Sequence, residues 1–117
     1  MAAPNIVAVT TIIGKTAVQA VGTSATAIVT NSSGSNKVLK VNALYVANVD
    51  GSASADITAD VFRSSTAYRI AFTVTVPADA SLDILSKPIY LEEGDSLRLT
   101  ASASGDLEAV CSYEEIS

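Results

Sequence analysis

The chain has 117 residues, enough for one domain with a core that needs neither metals nor disulfide staples. Apolar residues make up 49%, mostly Ala and Val with no Trp, and charged residues only 16%, an economy of charge that predicts surface hidden against partners in a homo-oligomer. A net charge of −5 without any basic run excludes a nucleic-acid binder, and the absence of histidine excludes Ser–His–Asp and Cys–His catalysis and the common zinc sites.

The first segment, Asn5–Ile13, reads as a strand apolar or Thr on both faces (Ile6, Ala8, Thr10 and Ile12; Val7, Val9, Thr11 and Ile13). Such a strand is either central in a sheet or covered by another chain. Residues 1–13 are expected to form a docking or oligomerisation arm or an edge hairpin, with Ile6, Val7, Val9, Ile12 and Ile13 as the interface. This start lacks the charged flank and sustained apolar core of a signal peptide, and no run in the chain approaches the length of a membrane span.

Gly14-Lys15 is expected to turn the chain. Further strands follow over Lys15–Val21 and Ser24–Thr30. The stretch 31–36, Asn-Ser-Ser-Gly-Ser-Asn, is the most loop-like in the chain and is expected to be flexible, as a linker or a long hairpin loop.

From Val38 onward, period two dominates. In Val38–Val49 the odd positions Leu39, Val41, Ala43, Tyr45, Ala47 and Val49 are predicted to point inward. Ala55, Ile57, Ala59 and Val61 form the next inward set, with Asp56, Thr58 and Asp60 outward. Tyr68, Ile70, Phe72, Val74 and Val76 form a third, and Leu97, Leu99, Ala101 and Ala103 a fourth, after a short strand at Leu82–Leu85. Turn residues punctuate these runs at Asp50-Gly51-Ser52, 63–66, Pro77-Ala78-Asp79, Lys87-Pro88, 92–95 and Ser104-Gly105-Asp106. Pro88–Ser117 accordingly reads as strand, turn, strand, turn, strand. The expected fold is a single all-β domain over 1–117, an antiparallel β-sandwich that is jelly-roll-like or related.

Charge is distributed unevenly. Residues 1–49 carry Lys15, Lys37 and Lys40 and no acid; all twelve carboxylates lie from Asp50 onward. The alternatives are plain surface chemistry, or two ends of the chain that face different surroundings. The carboxylate groups do not form a catalytic pair. Adjacent strand residues Glu114 and Glu115 face opposite sides, and Glu92, Glu93 and Asp95 lie in a turn, where carboxylates are normally solvated. Calcium held by that turn with Asp50, Asp56 or Asp60 would lack the usual loop spacing. The single Cys111 lies in an alternating run and reads as a buried structural thiol without a base to activate it. No catalytic, cofactor-binding or metal-binding residues are assigned, and no cofactor is expected.

Leu44–Val61, Val76–Leu82 and Pro88–Ser117, with its PIYLEEGDSLRL and CSYEEI, together with the start MAAPNIVAVTTIIGKT, resemble small virion structural proteins of tailed bacteriophages, particularly those of cyanobacteria. The resemblance spans nearly the whole chain, and its motifs are structural, not catalytic. It implies a non-enzymatic particle component assembled in the host cytoplasm. Its favoured role is a capsid decoration (cement) protein on the outer surface of the virion, partnered by the major capsid protein or other virion proteins. A trimer is the favoured oligomer. The alternatives are a neck, tail, baseplate or fibre-base component, or a carbohydrate- or receptor-binding module on the virion.

Overall fold

The computed structural model describes residues 4–117, and every regular element among them is a strand. These are β1 (Ile12–Ala20), β2 (Thr26–Thr30), β3 (Val38–Asn48), β4 (Ala55–Arg63), β5 (Thr66–Val76), β6 (Ser81–Asp83), β7 (Ile89–Leu91), β8 (Ser96–Ala101) and β9 (Leu107–Ile116). One sheet runs β1-β9-β3, with β6 and β7 both on the far edge of β3; the other runs β2-β8-β4-β5.

All pairings are antiparallel, and they nest. The first strand pairs with the last, β2 with β8, β3 with β6 and β7, and β4 with β5. Such a nested ladder wrapped into two packed sheets is the jelly-roll topology. Here β6 and β7 share one strand position, interrupted by a segment that ends at Lys87-Pro88. Proline cannot donate to a ladder and is confined to such breaks and edges.

The core between the sheets is aliphatic and small. Leu44, Ile57, Leu91, Leu97, Leu99 and Leu107 are its largest fully buried side chains. The predicted inward sets on β4 and β8 are seen in Ala55, Ile57 and Ala59, and in Leu97, Leu99 and Ala101.

Four expectations fail, each for a physical reason. Residues 6–8 form a turn instead of a strand, with the amides of Val7 and Ala8 bonded to the side chain and carbonyl of Asn5. Gly14-Lys15 does not turn; it lies inside β1, held straight by an unbroken register with β9.

In β3 the inward set changes parity. The register with β9 slips between Val41 and Ala43, a β-bulge at Asn42. Leu39 and Val41 face the core before it, and Leu44, Val46 and Asn48 after it. One extra residue flips every later side chain to the other face. Tyr45 and Val49, predicted inside, are therefore outside.

β5 departs from strict alternation as well. Two register shifts against β4 and a left-handed Thr73 (φ 50°) break the pattern. Val76 remains buried, while Tyr68, Phe72 and Val74 are exposed along this edge strand.

Two buried asparagines close opposite ends of β3. Asn48 donates to the carbonyls of Ala53 and Val76 and accepts from the amide of Asp50. Asn31 donates to the carbonyls of Lys37 and Leu91, accepts from Ser35 Oγ, and bonds through its backbone to Asp95 and Gly94. The 31–36 stretch is thereby tied to the 92–95 turn.

The bulge makes a direct prediction. Leu44→Ala is expected to lower unfolding free energy by about 2–5 kcal/mol, the range for truncating a buried Leu. Tyr45→Ala should cost under about 1 kcal/mol, as at other surface positions. Urea denaturation of the two variants checks the assignment, and the reverse ranking would refute it.

Candidate interaction surfaces

Among the described residues, no cluster of three or more His, Cys, Asp or Glu side chains could hold a metal. The carboxylates considered for such a role go to separate partners. Asp50 accepts from Ser52, Asp56 from Thr75 and Asp60 from Arg98. No helix of the described residues is long and apolar enough to cross a membrane.

Two acids predicted to be solvated are buried instead. Asp60 lies on the outer side of the second sheet, opposite Arg98 in the β4–β8 register, and takes the Arg98 Nε hydrogen bond at 2.9 Å. The Arg98 guanidinium in turn stacks 4.0 Å from the Phe62 ring centroid, so arginine and aromatic ring shield the carboxylate from water.

Asp95, from the 92–95 turn, is only 1% exposed. It receives both arms of the Arg63 fork, at 2.7 and 2.6 Å, and the Glu92 amide at 2.8 Å. This bidentate pair and the amide bond hold the Asp95 carboxyl below its ordinary pKa despite burial. The arginine thus latches β4 to the β7–β8 turn.

Glu114 and Glu115 do split across the faces of β9. Glu115 meets Lys37 at 2.7 Å and Lys15 at 3.1 Å, and both contacts lower its pKa. The uneven charge along the chain is therefore partly reconciled inside the molecule, because β9 lies between β1 and β3.

Cys111 is fully buried on the core side of β9, and burial pushes its thiol up to about 11. A thiol so raised and so enclosed is a packing residue, not a nucleophile.

What the surface does offer is apolar. Ile6, Val7, Ile12 and Ile13 are all exposed, Val7 by 90%, and Val9 is half-buried. Thr10 and Thr11 bond Ser117, which places this segment beside the C-terminus. Met1–Ala3, part of the expected arm, lie outside the described residues. On the outer face of the first sheet, Val18, Val110 and Tyr45 are cross-strand neighbours and all exposed, forming an apolar row on a face otherwise rich in small residues.

At one side of the sandwich, Val61, Tyr68 and Ile70 of one sheet and Ile89 and Tyr90 of the other line a groove of about 340 Å³. Sequence alternation assigned Tyr45 and Tyr68 to the core, and with them went any sign of this aromatic surface. The row at Val18 and Val110 was legible only as hydrophobic residues within strands. Neither the Asn42 bulge nor the openness of the β5 edge has a sequence signature.

No known protein family matches the chain by sequence, and neither does a curated protein. Among solved structures, the fold is similar to a protein of the disulfide-linked pili that form Bacillus endospore appendages. That likeness has 13% identity and a TM-score of 0.52, covering 92% of this chain and 88% of the other. A pentameric capsid protein isolated from metagenomic phage sequences aligns at 19% identity with a TM-score of 0.40, over 90% of this chain and 60% of that one.

The Asp95 latch predicts a pH dependence. Its folded pKa is depressed, so its contribution is complete above the unfolded carboxylate value of about 3.9 and is lost as pH falls through the lower folded value. Arg63→Ala is expected to cost about 2 kcal/mol at pH 7, below the range for a fully buried pair because Arg63 is half exposed. It should also flatten the loss of stability on acidification below pH ~4. Urea midpoints of both proteins between neutral and acid pH test this. Parallel curves would show that the pair is not the titrating element.

Proposed function

We propose that this chain is a non-enzymatic structural protein of a tailed-phage virion, and that it decorates the head shell from outside. The resemblance of nearly the whole sequence to small virion proteins supports this role. The observation that carries it in the fold is the exposed apolar segment at one end of a rigid sandwich. Ile6, Val7, Ile12 and Ile13 form a surface that water disfavours, next to the Thr10–Thr11 contact with Ser117. This is the docking element. The acidic balance of the chain suits the outside of a particle whose interior is filled with nucleic acid.

The partner is the major capsid protein or another shell component. A decoration protein of this kind sits at a local symmetry axis as a homo-oligomer, with three-fold symmetry the form favoured for shell contact.

A chain lacking residues 2–9, or carrying Ser at Ile6, Val7 and Val9, is expected to keep the far-UV spectrum and thermal midpoint of the intact protein. It should lose binding to purified shells in a co-sedimentation assay. Unchanged affinity would remove the segment from the interface.

Two other virion roles have specific support. A fibre or tail role fits the elongated molecule, 49 × 27 × 20 Å, and a fold shared with a pilus protein. It would have to assemble without inter-chain disulfides through the one buried thiol. Copy number separates this role from decoration: quantitative mass spectrometry of particles is expected to give hundreds of copies for a decoration protein, and a few dozen or fewer would favour the tail. A carbohydrate-binding role is supported by the Tyr68–Tyr90 groove, and a glycan array with the Tyr90→Ala variant as control would reveal it.

A further inference from the structure

The four sheet edges are not alike. β2 is five residues long and its register with β8 shifts between Ala27 and Val29. β6 and β7 are three residues each and separated by a break. β5 is long but carries two register shifts and the left-handed Thr73. Short length, bulges and interruption are among the devices that keep an edge from pairing with another chain, as are edge charges. β1 has none of the first three, and its one charge, Lys15, is drawn to Glu115 of its own sheet. Its nine residues pair with β9 without a single irregularity, and most of its side chains are exposed.

The pattern of its hydrogen bonds is fixed at both ends. Thr11 exchanges bonds with Ser117, and the Val21 amide donates to Leu107. Alternation in an antiparallel ladder then directs the odd-numbered residues of β1 toward β9. Ile12, Gly14, Thr16, Val18 and Ala20 turn their N–H and C=O groups away from the sheet. Among the described residues, no other backbone bonds to them.

We propose that β1 is a strand-addition edge and that its partner is β1 of a second copy, paired antiparallel about a two-fold axis at Thr16. This goes beyond the decoration role and stands on the edge alone.

Three features favour this occupant and this register. Thr16 is the midpoint of β1, so centring there gives the greatest overlap, and outward-facing backbone groups meet only each other. Gly14 falls opposite Val18 of the second copy, so the most exposed side chain of β1's apolar face lies over a residue without a Cβ; nothing stands within 4 Å of where a Gly14 Cβ would be. Lys15, the only charge on β1, is tied to Glu115 within its own chain and falls opposite Ala17. Centring on Lys15 would instead set two like charges directly across from each other, which is unfavourable. The paired sheets would join the two apolar rows of Val18, Val110 and Tyr45 into one continuous outer face. A two-fold pair of this kind differs from the trimer favoured on resemblance to decoration proteins.

Sedimentation velocity of the full chain is expected to give twice the 11.9 kDa monomer mass, and a monomer or a trimer would overturn the proposal. Thr16→Pro removes an N–H that no intrachain bond uses, so the fold should persist while the mass halves; a folded Thr16→Pro protein that remains dimeric would overturn it. Should that variant not fold, cross-linking decides. In a hydrogen-bonded antiparallel pair the two Thr16 Cα atoms would lie ~5.5 Å apart, within disulfide reach. Oxidised Thr16→Cys is expected to give a covalent dimer at least tenfold faster than Ala17→Cys. Equal rates would refute the register. A monomeric chain whose shell binding is lost in Thr16→Pro would assign the edge to a shell strand and refute the second copy.

Discussion

The placement of β9 governs the molecule. The last strand of the chain lies between the first and the third and pairs with both along nearly its whole length. Without it, the first sheet would have no centre, the core would lose Leu107, Ala109 and Cys111, and Lys15 and Lys37 would lose their shared carboxylate. Because β9 closes the longest loop in the chain, its pairing is entropically the costliest contact to form. A fold dominated by such non-local pairs belongs to the slow-forming class.

Small side chains make this arrangement workable. An aliphatic core made mostly of Ala, Val and Leu offers few large anchors. Precision comes instead from polar fasteners at the ends and edges. Asn31 and Asn48 satisfy buried backbone carbonyls at opposite ends of β3, and Arg63 and Arg98 each neutralise a buried aspartate. A buried polar group is costly unless fully bonded, so these contacts are sensitive to position in a way that aliphatic packing is not. They specify loop geometry where the core alone would tolerate several arrangements.

The same economy explains the surface. A chain with few charges and few bulky residues cannot cover its outer faces with solvated side chains. It leaves an apolar row on the first sheet, an open groove between Tyr68 and Tyr90, and an exposed N-terminal segment. The thiol is enclosed, Asp60, Asp95 and Glu115 are bound to arginine or lysine, Asp50 is bound to turn amides, and histidine is absent. Exposed apolar area is what the described surface offers, and the proposed assembly role rests on it.

Much of this was written in the sequence. Alternation over Ala55–Ala59 and Leu97–Ala101, with Gly, Asp and Pro between the runs, determined an all-β sandwich, because side chains on a strand can only alternate and turns need particular backbones. The lack of histidine determined which chemistries were closed. Tertiary structure decided the rest. One unpaired residue at Asn42 moved Leu44 inward and Tyr45 outward, a change that depends on the partner strand and not on local composition. The burial of Asp60 and Asp95 depended on arginines 38 and 32 positions away. The exposure of β1 followed from its place at the end of a sheet, since an edge is a property of strand order and no strand carries its neighbours in its own sequence.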